Sequence, residues 1–132
     1  MTTPQVQLIN PPSLPRVPGY SQVATVTGGD LVFIAGQVSL DASGAIVGAG
    51  DFAAQATQTF QNLMTALAAV GASATNVIKL TSFVTDMSQL ATFRAVRDQF
   101  LDPAHLPAST LVQVSRLFRE EFLIEVEAIA VR

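Results

Sequence analysis

A chain of 132 residues, 49% hydrophobic and 13% charged, suits one domain with a buried core, which excludes a disordered chain. Its formal charge of −3 includes only seven cations, scattered from Arg16 to Arg132. Without a basic stripe there is no surface to neutralise phosphates, so neither a nucleic-acid partner nor a ribonuclease is expected. The absence of cysteine removes disulfides, thiolate metal sites and a cysteine nucleophile.

The first twenty residues hold five prolines and read as an extended arm over 1–19 of a single domain spanning 1–132. The start lacks a basic segment followed by an apolar stretch, so it does not read as a signal peptide. No apolar run is long enough to cross a membrane. A cytoplasmic location and no membrane partner are the expectation.

Next, "SQVATVTGGDLVFIAGQVSL" reads as a hairpin whose two β-rich runs flank Gly28-Gly29-Asp30. A turn-rich connection leads to Asp51, an N-cap for a helix over 51–70. Phe52, Ala56, Phe60, Leu63, Leu67 and Val70 make its apolar stripe, and Gly71 ends it. Its opposite face carries Gln55, Gln58, Asn62 and Thr65. "NVIKLTSFVTD" is a strand. "MSQLATFRAVRDQFL" is a second helix, with Ser88 as cap and Leu90, Phe93, Val96 and Phe100 facing the core. "STLVQVSRL" and "FLIEVEAIAV" are two further strands.

In "LVFIAGQV" both faces are apolar or small, and "NVIKLTSFV" is nearly so. A strand buried on both faces needs cover on both sides. Two helices cover one face of a small sheet, so the other face calls for a second copy of the chain or for closure into an intramolecular barrel.

Few residues can carry chemistry. Glu125 and Glu127 share one face of the last strand, about 7 Å apart, on a face that turns apolar toward Val131. Either they pair with Arg116 or Arg119 at a strand end, or one is a carboxyl of raised pKa that acts as general acid and base or holds a water. Gly36, inside a strand, marks a bulge or a close approach of backbone and ligand. Tyr20, the only tyrosine, either anchors the arm or offers its hydroxyl to a pocket. Asp102, His105 and Ser109 suggest a triad, but Pro103 and Pro107 break the segment and nothing brings the three together. No acidic or histidine cluster has metal-ligand spacing.

In order and spacing, "GYSQV", "LVFIAGQVSLDASGAIV", "AAQATQTFQNL", "NVIKLTSFVTDM", "PASTLVQVSRL" and "IEVEAIAVR" resemble the YjgF/RidA (Rid) family, formerly the endoribonuclease L-PSP group. The resemblance runs from Tyr20 to Arg132. It implies an α+β, chorismate-mutase-like fold: a mixed sheet with two helices on one face, in a homotrimer with a central barrel and clefts between subunits. It implies cofactor-free hydrolysis of enamines and imines to 2-oxo acids and ammonia. The family's water-positioning glutamate falls on Glu125, its strand glycine on Gly36 and its N-terminal tyrosine near Tyr20.

One position departs from the pattern. Where deaminases of the family read Pro-Ala-Arg-Ser, this chain reads Pro107-Ala108-Ser109-Thr110, so the carboxylate-binding arginine is missing. Losing such a contact costs roughly 2–5 kcal/mol of binding. The resemblance therefore implies an imine- or enamine-handling protein whose substrate is not a simple 2-imino acid, with Tyr20, Gly36, Arg94, Ser109 and Thr110 around the ligand. Arg94, at a helix position where deaminases often carry asparagine, or Arg16 on the arm, is a candidate replacement cation; otherwise Arg94 and Arg97 lie on a solvent face. The alternative is a trimer that binds a metabolite or a protein without catalysis.

Overall fold

The computed structural model describes residues 2–132, and its strands are β1 (Gln5–Ile9), β2 (Val23–Thr27), β3 (Leu31–Gln37), β4 (Val77–Val84), β5 (Ala108–Gln113) and β6 (Ile124–Val131). Its α-helices are α1 (Phe52–Ala69) and α2 (Leu90–Phe100). Four strands form a mixed sheet in the order β3-β6-β4-β5. The β4–β5 pair is parallel and the others antiparallel. A parallel pair needs a crossover, which α2 supplies. The fold is α+β, with two helices against a mixed sheet.

Both helices lie on one face. Phe60 of α1 stacks on Phe100 of α2 at 5.6 Å and meets Phe93 at 6.1 Å. Beneath them Leu80, Val84, Ile124, Val126, Ala128 and Ala130 are all buried. These sheet residues follow the period of two that puts alternate side chains on one face.

The ends of α1 behave as their residues dictate. Asp51 accepts a hydrogen bond from the Ala54 amide at 3.1 Å. At the other end Gly71 takes φ +72°, and the Gly71 and Ala72 amides donate to the Ala68 and Leu67 carbonyls. This closes the helix by the two-bond pattern that a left-handed glycine permits. The cap before α2 is Asp86, not Ser88: its carboxylate accepts from the Ser88 amide at 2.9 Å, and one 3₁₀ turn, Met87–Gln89, precedes the helix.

Two other expectations give way. The run around Gly28-Gly29-Asp30 is not a hairpin. β2 pairs with β1, which lies inside the proline-rich arm, and β3 pairs with β6. Gly28 and Gly29 both have positive φ and turn the chain from one sheet to the other. Gln55 is not on an outward face either. It is fully buried, its amide nitrogen donating to the Gly48 and Glu121 carbonyls and its oxygen accepting from the Leu123 amide.

The second sheet face has no helix. On it Phe33 is 72% exposed and Leu31 56%, next to partly open Phe83, Ile129 and Val112. Both faces of β3 are apolar in sequence, yet only one is covered within the chain. No helix among the described residues is long and apolar enough to cross a membrane.

Candidate functional site

The sequence-predicted site residues fall into two groups on opposite sides of the sheet. In the first, Ser109 pairs in register with Leu80 and so shares the helix-covered face. There a cleft of about 260 Å³ opens between β5, α2 and the arm, lined by Tyr20, Phe93, Arg94, Arg97, Ser109 and Leu111 among others. The arm is held over it by Ser21, which donates from its amide to the Pro107 carbonyl at 2.9 Å and from its hydroxyl to the Leu106 carbonyl at 2.7 Å. Tyr20 reaches the cleft because its neighbour Ser21 is tied to the start of β5.

In the second group, Glu125 pairs in register with Phe83 and lies on the open face. Between Ile34 and Gln37, β3 carries one residue more than β6 opposite it, a bulge that contains Gly36. The bulge presses Gly36 against Glu125: a Cβ there would meet Oε2 at 2.5 Å. The bulge reading of Gly36 holds, and what lies close to it is the Glu125 side chain. Burial raises the pKa of Glu125, and the neighbouring Glu127 charge adds to the rise. Neither glutamate pairs with Arg116 or Arg119, which face Glu120 at 3.8 Å and Glu121 at 3.4 Å.

Thr110, one residue after Ser109, points to the face of Glu125 and accepts a hydrogen bond from Lys79 Nζ at 2.8 Å. It does not line the cleft beside Ser109. Arg16 is exposed and is likewise absent from the cleft wall. The triad does not form: His105 Nδ1 lies 3.3 Å from Asp102, more than half exposed, with no hydrogen bond to Ser109. No group of three metal-ligating side chains occurs among the described residues.

The largest departure concerns Arg97. It is not on a solvent face: its side chain is only 6% exposed. The sequence carried a signal for this, since Arg97 stands four residues after Phe93 and three before Phe100, on the core stripe of α2. Arg94, exposed, lines the cleft from the same helix.

Comparison with known proteins places this arrangement. The family model for Endoribonuclease L-PSP matches residues 13–132. A 2-iminobutanoate/2-iminopropanoate deaminase of Salmonella typhimurium is 37% identical over 106 residues, 79% of this chain and 81% of the relative. Among solved structures, the Rid-family protein YyfB of Yersinia pestis, of unknown function, superposes with a TM-score of 0.90 at 34% identity, covering 96% of this chain and 98% of that one. E. coli TdcF with bound serine gives a TM-score of 0.71 at 36% identity, covering 89% and 91%.

Proposed function

We infer from the endoribonuclease L-PSP (YjgF/Rid) family, to which this chain belongs, that it binds a small imine, enamine or oxo compound and hydrolyses or tautomerises it without a cofactor. The observation that carries this reading is Glu125, a partly buried carboxyl of raised pKa set against a glycine where no side chain intervenes. Such a group can take a proton from water as it adds to an imine carbon and return it to the departing nitrogen, releasing ammonia and a carbonyl compound. Two relatives support the substrate class: the Salmonella protein named for deaminating 2-imino acids, and TdcF with bound serine.

The active unit in this reading is a homotrimer in the cytoplasm. Ser109 and Glu125 lie on opposite faces of one sheet, so one chain cannot bring its cleft and its carboxyl to the same ligand. The exposed apolar row at Leu31 and Phe33 suits a partner, and packing copies around it would set the Glu125 face of one chain against the cleft of the next.

Ser109 favours a second reading, a trimer that binds a metabolite or protein without turnover. Glu125→Gln separates the two. Across a panel of imines and enamines generated in situ, the first reading expects ammonia release by the native chain from at least one and its loss in the variant, by about 10²–10⁴-fold. Turnover that survives the substitution would remove Glu125 from the mechanism, and a native chain inert toward imines and enamines would leave the binding reading.

A further inference from the structure

We propose that Arg97, on helix α2, holds the anionic group of the ligand in the cleft, so that a helix supplies the cation absent from the strand at Ser109. The proposal rests on the reading that the cleft takes a small imino or oxo compound, and it assigns that compound a carboxylate.

The guanidinium is built into place. Arg97 lies over the ring of Phe93 at 5.8 Å, and a Cβ on Gly19 would overlap its Nη2. Gly19 has φ +80°, so its conformation and its missing side chain both suit glycine. The turn that brings Tyr20 to the cleft therefore also makes room for the cation.

Its hydrogen bonding is incomplete. A guanidinium has five N–H donors. Nε and Nη2 both reach a single oxygen of Asp98, each at 3.0 Å. Nη1 has no hydrogen-bond partner among the described residues. Nε is thus hydrogen-bonded and Nη2 ion-paired to that oxygen, and the Nη1–Nη2 edge, two parallel N–H groups of the spacing that a carboxylate matches, has no other partner among the described residues. Nη1 is not among the buried unpartnered side-chain atoms, so it keeps contact with solvent and a ligand can reach it.

The charge around the cleft points the same way. No acid lines it, whereas Arg94 and Arg97 both do. Asp98, 58% exposed, offsets one of these charges, and the other is left. A volume of about 260 Å³ suits a ligand of a few heavy atoms. A small carboxylate, planar and two-pronged, meets all of these conditions.

The test uses binding, not turnover. Titration calorimetry of the full chain compares 2-oxobutanoate with 2-oxobutanamide, which has the same shape without the charge. The native protein should prefer the acid by at least about tenfold, and Arg97→Gln should abolish that preference while circular dichroism and native mass stay unchanged. Equal binding of acid and amide by the native chain, or a preference that persists in Arg97→Gln, overturns the proposal. Should the variant fold poorly, 15N-arginine spectra of the native protein decide: Arg97 side-chain resonances should move on titration, and unmoved resonances overturn the assignment. A chain that discriminates through Arg97 yet turns over no imine would sink the deaminase reading alone. Imine turnover with an unchanged KM in Arg97→Gln would sink this inference alone.

Discussion

Gly36 and Glu125 face each other across the β3 bulge so closely that an alanine Cβ would lie 2.5 Å from Oε2 and 2.8 Å from Cδ of the carboxylate. The backbone of Gly36 needs no special conformation, since its φ is not positive. Alanine is therefore compatible with the chain path, and it is the Glu125 side chain that must move. Gly36→Ala should shift Tm by no more than about 3 °C while lowering kcat/KM by up to about 10²-fold, as a displacement near 1 Å of a reacting group can do. Thermal melts and imine turnover on the same preparation check both halves. A large loss of stability with intact specific activity would contradict this account of the glycine.

The raised pKa of Glu125 also makes a prediction about stability. Burial, with Glu127 second, disfavours the charged form in the folded chain. The folded protein thus binds the proton more tightly than the unfolded chain, and stability from this site is fully present below the unfolded pKa, near 4.3. It is lost as pH rises through the higher folded pKa. Glu125→Gln, neutral throughout, should be more stable than the native protein at pH 7, with the difference shrinking toward pH 4. Urea denaturation at several pH values measures this, and a difference that grows on acidification would reverse the sign.

Phe33, 72% exposed on the helix-free face, has no apolar cover within the chain. Apolar side chains clustered this way mark an interface. Phe33→Glu should lower the solution mass from three times 13.9 kDa to 13.9 kDa, read by light scattering after size exclusion. The monomer should keep its far-ultraviolet spectrum, because Phe33 is not part of the buried core. A native protein already at 13.9 kDa would remove the trimer from the proposed function.

Most of the element order was legible because it follows from local rules. Asp51 and Gly71 bound α1 through capping bonds made within a few residues, and the stripe from Phe52 to Leu67 faces the core at helical period. Glu125 and Gly36 were legible as odd residues in apolar strands. Strand partners were not. The Gly28-Gly29 turn looks like a hairpin in sequence, but pairing is a long-range choice, and β1 and β6 made better partners for β2 and β3 than these made for each other. Gln55 was misplaced for a similar reason. An uncharged polar residue on a helix reads as solvent-facing until three backbone groups, two of them more than sixty residues away, converge on it.

By itself the sequence determined the two helices and the glutamate in the last strand, since each rests on residue type and spacing within one segment, while the α+β class and the departure at Ser109 came from its resemblance to the YjgF/Rid family. Only the tertiary structure decided that Ser109 and Glu125 face opposite ways, that Gly36 touches Glu125, and that Arg97 is buried with one edge of its guanidinium unused. These are relations between segments brought together by the sheet order β3-β6-β4-β5 and by the arm folding back over β5. Side-chain periodicity says which residues share a face of one strand. It does not say what the neighbouring strand, or the helix above it, places beside them.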